Sequence, residues 1–259
     1  MSDLPPETEF EYLYERYHAN VPPLVSESEL APSATQSTKS NQSSESASKQ
    51  YRRAERVPLA EPAESDLLDR LRQRASYSEP TTQRPITEQE LATLLTYSYG
   101  EIRKTETNAA RRPVASAGAY YPLELYPIIL DSPDIEGGIY HYNPPAGELD
   151  RLQAGEFGDW LRDNWTWVTD DDAVTAAVVI TGRPGRAAER YDEMAYLFAA
   201  IECGAVVQNL QLVASELGIG SRPHNGLNYR ALRQQLRLRN DEFLLSTVVF
   251  AGTAPGDSE

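Results

Sequence analysis

Apolar residues in this sequence recur in two rhythms, a spacing of three to four and short unbroken runs, and the switches between them mark out its elements. Leu67, Leu68 and Leu71 begin a helical spacing. A better-marked helix follows, with Thr87 and Glu90 as a capping box, Leu91, Leu94 and Leu95 as its stripe, and Gly100 at its end. Residues 123–130 read as a buried strand and 138–142 as a second one, closed by the turn-forming run Asn143-Pro144-Pro145-Ala146-Gly147. Trp160, Trp165 and Trp167 fall in a segment predicted to be helical and partly covered, where core or interface packing is their expected role and a substrate wall the alternative. Residues 173–181 form a Val-rich strand. The longest helix is predicted over 188–217, where Met194, Leu197, Phe198, Ile201, Ala205 and Leu212 recur at helical spacing. Such a helix is central or lies at a dimer interface. Residues 221–226 read as a loop, 229–238 as a short helix and 243–251 as a final buried strand. Helices and strands are interspersed without a Gly-rich βαβ rhythm, which predicts an α+β fold.

The first 62 residues break this pattern and are expected to form an appendage. Phe10, Tyr12, Leu13, Tyr14 and Tyr17 suggest a short docking helix. Residues 33–48 are a Ser/Thr/Gln/Asn run with too little apolar content to offset the entropy of ordering, and are expected to be disordered. The folded domain is then expected over 63–255, with 256–259 as a tail.

Charge narrows the function classes. The formal net charge is -15, with Lys only at positions 39, 49 and 104, which argues against nucleic-acid or anionic-membrane partners and suggests a halophile-like acidic surface. The start of the chain lacks a signal-peptide pattern and no run approaches about 20 apolar residues, so a cytoplasmic protein is expected. Cys203 is the single cysteine, and His18, His141 and His224 are widely spaced, so no disulfide or metal site is expected.

No nucleophile elbow, Walker motif or GxGxxG is present. Three weaker features remain: arginines at 70, 72 and 74, a small-residue loop at 115–119 fed by Arg111 and Arg112, and the Asn225-Gly226 turn. Arginine forks can hold a phosphate, and closely approaching backbone N–H groups can bond the edge of a ring system. Together they would suit a flat phosphorylated cofactor. A solvent-facing arginine cluster and a plain loop into a core strand are the alternatives.

The run Ala115-Ser116-Ala117-Gly118-Ala119-Tyr120-Tyr121-Pro122-Leu123-Glu124-Leu125-Tyr126 resembles the P-S-A-G-A-x-Y-P-L-E-x-Y motif of the flavin-dependent nitroreductase superfamily, in its SagB-type azoline-oxidase branch. Gly138-Ile139-Tyr140-His141-Tyr142 resembles the branch's G-L-Y-x-Y strand. Ile201-Glu202-Cys203-Gly204-Ala205-Val206-Val207-Gln208-Asn209-Leu210 resembles its E-A-G-x-x-x-Q-N-L helix. The resemblance implies a mostly antiparallel sheet flanked by helices, and a homodimer with FMN between subunits. Arg70, Arg72 and Arg74 would hold the FMN phosphate. Ser116, Ala117, Gly118, Tyr121 and Pro122 would line the flavin, and the backbone of Asn225 and Gly226 would face flavin N5 and O4.

Three departures from that pattern bear on function. The usual Ser is missing from the phosphate segment, the leading Pro is Ala115, and a Lys-Tyr pair before the long helix is Arg190-Tyr191. Arginine stays protonated and is a poor general base, so proton transfer at this position would rest on Tyr191, whose alternative role is a helix-start aromatic packed on the core. The resemblance implies hydride transfer through flavin N5 with NADH or NADPH as a candidate donor. The substrate is either an azoline in a modified peptide or a small quinone or nitro compound. The alternative is a scaffold homodimer that binds flavin or a partner with catalysis impaired.

Overall fold

The computed structural model describes Tyr14 and residues 53–77, 84–166 and 173–252. Trp167 and the Ser/Thr-rich run at 33–48 lie outside the described residues, as does most of the expected N-terminal helix.

Six strands form one sheet in the order β5-β4-β3-β6-β8-β7, every neighbouring pair antiparallel. They are β3 (Leu123–Ile129), β4 (Gly138–Asn143), β5 (Glu148–Ala154), β6 (Val174–Gly182), β7 (Gly220–Pro223) and β8 (Phe243–Ala251); β1 (Arg103–Lys104) and β2 (Ala110–Arg111) make a separate small ribbon. β6 lies between β3 and β8 and is buried on both faces, which is why it reads as a continuous Ala/Val run rather than an alternating one. Helices cover each face. α2 (Glu88–Tyr99) and α5 (Met194–Glu216) pack over Leu123, Leu125, Val178, Ile180 and Phe250. α3 (Gly158–Asn164) and α6 (Tyr229–Gln235) cover Tyr126, Ile128, Val179 and Val249 with Leu161, Trp165 and Leu232. Trp165 is fully buried, so packing is its role.

α2 begins where its residues dictate. The Thr87 hydroxyl accepts from the Glu90 N–H at 3.2 Å and the Glu90 carboxylate accepts from the Thr87 N–H at 3.0 Å, which satisfies two orphan donors reciprocally. Three expectations need correction. The long helix does not start at 188: α4 (Gly185–Tyr191) ends at Asp192, whose φ of 50° breaks the helix before α5 begins. Residues 221–223 belong to an edge strand rather than a loop. Finally, the 23-residue α5 is by length and composition apolar enough to cross a membrane, although Glu202 and Gln211 are buried along it against this protein's own fold.

α1 (Asp66–Gln73), capped by Ser65, buries none of its residues, and Leu67 and Leu71 stand exposed. Met194, Leu197 and Ile201 are likewise exposed along one side of α5. At the N-terminal end of the chain, Tyr14 is buried, its ring stacked on Tyr196 at 5.5 Å and edge-on to Phe243 at 5.8 Å.

Candidate active site

The small-residue loop runs from the end of β2 into β3 and holds three backbones in the left-handed region: Gly118 at φ 62°, Ala119 at 57° and Tyr121 at 46°. For Ala and Tyr such a conformation is strained and persists only where surrounding contacts enforce it. Four contacts do so. Ser116 Oγ accepts from the Tyr121 N–H at 2.9 Å, Tyr121 Oη accepts from the Arg112 N–H at 3.3 Å, and Arg186 Nη1 donates to the Tyr121 carbonyl at 3.2 Å. The fourth is a hydrogen bond from Ser116 to Glu202 on α5.

Glu202 is buried in the middle of an apolar helix. Tyr99 Oη donates to it at 2.8 Å while accepting from the Leu123 N–H at 3.0 Å, so a single phenol ties α2, α5 and the start of β3 together. Burial pushes the Glu202 carboxyl above its ordinary range against the opposing pull of Ser116, Tyr99 and Arg112. The Arg112 guanidinium lies 4.3 Å from the Tyr99 ring and 4.7 Å from the Tyr121 ring, which meet edge-on, and its Nε is buried without a hydrogen-bond partner.

The predicted pair Arg190-Tyr191 is brought onto this loop by the break at Asp192. The Tyr191 ring packs edge-on to Tyr120 at 6.2 Å and to Phe198 at 5.2 Å. Its hydroxyl lies 3.1 Å from where a Cβ on Gly118 would stand, and Arg190 lies over its ring at 5.4 Å. Ser116, Ala117, Gly118, Tyr121, Pro122, Arg190 and Tyr191 therefore form one group. A second polar chain supports it from the sheet: Arg186 pairs with Glu124, which also bonds His141 Nε2 at 2.9 Å.

The other predicted residues sit elsewhere. Arg70 pairs with Glu216 at 2.5 Å and Arg72 with Asp69 at 2.9 Å, on the exposed face of α1. The segment after Arg74 crosses to β7, where the Tyr77 N–H donates to the Ser221 carbonyl at 3.3 Å, and β7 leads to Asn225 and Gly226. Asn225 Oδ1 accepts from the Thr247 N–H at 2.9 Å, and the Gly226 carbonyl accepts from the Thr166 N–H at 2.7 Å. The loop is anchored on α5 through Glu202, and Arg70 of α1 through Glu216, while Asn225 and Gly226 are held by β8 and Thr166. At 1.5 Å per residue the intervening 14 residues (216 minus 202) span about 21 Å. Among the described residues no cluster of His, Cys, Asp and Glu could hold a metal ion.

Glu202, Tyr99 and Arg186 were not among the residues expected at the site. For Glu202 a signal existed, since a lone carboxylate inside an apolar helical run must find partners. Tyr99 and Arg186 carry no such mark.

A six-stranded antiparallel sheet flanked by helices, with a strained small-residue loop against a long apolar helix, defines a class of α+β proteins whose relatives can be recognised by sequence. Residues 71–252 match the Nitroreductase family, and the chain belongs to that family. It is 28% identical over 192 residues to a nitroreductase-family protein of Methanocaldococcus jannaschii, covering 74% of this chain and 94% of the relative. Among solved structures it resembles a chain of the E. coli microcin synthetase McbBCD complex with truncated pro-MccB17 bound (TM-score 0.67, 19% identity, 85% of this chain and 82% of that one). A Desulfovibrio desulfuricans nitroreductase-family protein in complex with FMN shares the fold at TM-score 0.53 and 16% identity, covering 76% of this chain and 91% of that one.

Proposed function

We propose that this protein is a homodimeric FMN-dependent oxidoreductase, of the SagB type within its family, whose sites are each completed by two chains. One observation carries this reading. In a single chain, the points where Arg70 of α1 and the loop at 115–122 meet α5, Glu216 and Glu202, lie about 21 Å apart along it, while α5 exposes Met194, Leu197 and Ile201 at 48%, 48% and 62%. Exposed apolar residues on that scale mark a surface awaiting a partner. An antiparallel pairing of two α5 helices would bring the α1 end of one copy to the loop end of the other.

The residues present fit FMN. Arg70 and Arg72 are engaged in exposed ion pairs, with one further exposed hydrogen bond from Arg70 to Gln73; such pairs contribute about 0–1 kcal/mol and exchange readily for a phosphate. The small-residue loop permits close approach of a flat ring, and the buried, unpartnered Nε of Arg112 leaves a donor beside it. When bound, FMN supplies hydride chemistry at its N5. The chain positions and handles protons: backbone donors at Asn225 and Gly226 favour negative charge on a reduced ring, and Tyr191 Oη, against Gly118, is the atom that gives or takes a proton. The substrate is an azoline in a modified peptide or a small quinone or nitro compound, with NADH or NADPH as a reductant for the latter.

The absorbance spectrum and molar mass of the purified protein test this reading. A flavin spectrum on a dimer is expected, and Ile201→Asp should give monomers that lose FMN while keeping their far-ultraviolet circular dichroism. Absence of FMN uptake on titration, or equal FMN affinity in the monomeric variant, overturns it. Bound FMN that no nicotinamide donor or azoline peptide reduces would favour a scaffold role instead.

A further inference from the structure

Residues 225–240 contain four arginines and no acidic residue, in a chain whose net charge is -15. Three of the four, Arg230, Arg233 and Arg237, line a cavity of about 580 Å³ together with Gln234 and Leu238. Their spacing of three and seven residues places them on one side of α6 and its C-terminal turn, while Leu232 and Leu236 point into the core from the other. Arg233 is used structurally, donating to the Arg239 carbonyl at 3.1 Å and to Asn240 at 3.0 Å. Arg239 pairs with Asp241. Among the described residues neither Arg230 nor Arg237 has a carboxylate within ion-pair distance, and both are exposed.

Arg237 adds a second, independent observation. It occupies the left-handed position just beyond the helix end at φ 50°, with its N–H on the Gln234 carbonyl, and the Leu238 N–H returns to the Arg233 carbonyl. This is the position glycine fills without strain. The chain instead places an arginine there, whose backbone is strained and whose guanidinium gains no protein carboxylate.

We propose that this face of α6 is a docking surface for an acidic peptide segment of a partner protein. Arg230 and Arg237 stand about 10 Å apart along the helix, a span that two or three carboxylates of an extended peptide can match. The cavity is open rather than enclosing, which suits a peptide edge better than a small molecule needing burial. Long polyanions are disfavoured, because nucleic acid or an anionic membrane would extend beyond the patch onto an acidic surface, whereas a short segment stays within about one Debye length of the arginines. The site lies on the opposite face of the sheet from the loop at 115–122 and does not depend on the flavin reading.

The test is fluorescence anisotropy of a labelled decapeptide of alternating Glu and Ala against the full chain at about 50 mM NaCl, repeated at about 200 mM. Saturable binding that weakens with salt is expected. Arg230→Gln and Arg237→Gly should each weaken it about fivefold or more, while Arg103→Gln, on the separate small ribbon, leaves it unchanged. Arg237→Gly should at the same time raise the melting temperature, because it relieves the left-handed strain, so lost binding cannot be ascribed to lost folding. No saturable binding, unchanged binding in Arg237→Gly, or equally tight binding of pyrophosphate or of a single-stranded oligonucleotide of equal charge would each overturn the proposal.

Discussion

Gly118 and Gly147 have nearly the same backbone, φ 62° and 67°, but different surroundings. A Cβ on Gly147 would meet nothing within 4 Å, whereas on Gly118 it would stand 2.7 Å from Tyr120 Cε2 and 3.1 Å from Tyr191 Oη. Alanine at either site costs about 1–2 kcal/mol for the left-handed conformation, offset by about 0.4–1 kcal/mol because the unfolded chain becomes less flexible. Gly147→Ala should therefore be destabilised by about 0–1.6 kcal/mol, or up to about 6 °C in melting temperature for a domain of this size. Gly118→Ala bears the same term and must also displace the Tyr120 ring. That ring is 39% exposed and can turn away, adding about 0.5–1.5 kcal/mol for an off-rotamer side chain. The difference between the two variants isolates contact from backbone strain. Thermal melts of both without flavin measure stability, and titration with FMN measures the second effect, in which Gly118→Ala alone weakens flavin binding. Equal melting temperatures and equal FMN affinities in the two variants would refute the assignment of this loop as a packed wall of the site.

Tyr99→Phe removes the hydroxyl that serves both Glu202 and the Leu123 N–H, and should cost about 1–3 kcal/mol, seen as a melting-temperature loss of several degrees; a neutral effect would mean that these groups find other partners. His141 is raised above its usual value by its hydrogen bond to Glu124, against the effect of burial and with help from Asp150. The stability this confers is fully present below the unfolded value of about 6.5 and is lost as pH rises through the higher folded value. The melting-temperature gap between wild type and His141→Gln should therefore be widest near about pH 5.5 and narrow toward about pH 8.5. A gap that does not change with pH counts against a charged pair.

Local rules made α2 legible, because Thr87 and Glu90 name the start of the helix and Gly100 its end. The break at Asp192 was not legible. Neither Gly nor Pro marks it, and the apolar spacing continues across it, with Ala187, Ala188 and Ala195 packing as one small cluster. β7 was hidden for a related reason: Gly-Ser-Arg-Pro reads as loop chemistry, yet on a sheet edge Pro223 costs little. β5, at the other edge, is largely polar and exposed, so no alternating pattern announces it. Within the candidate site, the small residues and arginines give local signals that the sequence carries. What could not be read there is their division into two groups, which depends on the length of α5 between Glu202 and Glu216, and on Tyr99 reaching both α5 and β3.

The stacking of Tyr14 on Tyr196 and against Phe243 has a consequence for synthesis of the chain. Tyr14 and Phe243 are separated by 229 positions (243 minus 14). Tyr14 thus meets Phe243 only when β8, at the opposite end of the described fold, has emerged. Until then the site for the Tyr14 ring lacks its Phe243 side, so it is complete only after β8 has joined the sheet. Docking of Tyr14 is therefore a late event, which reports that β8 has been made and folded.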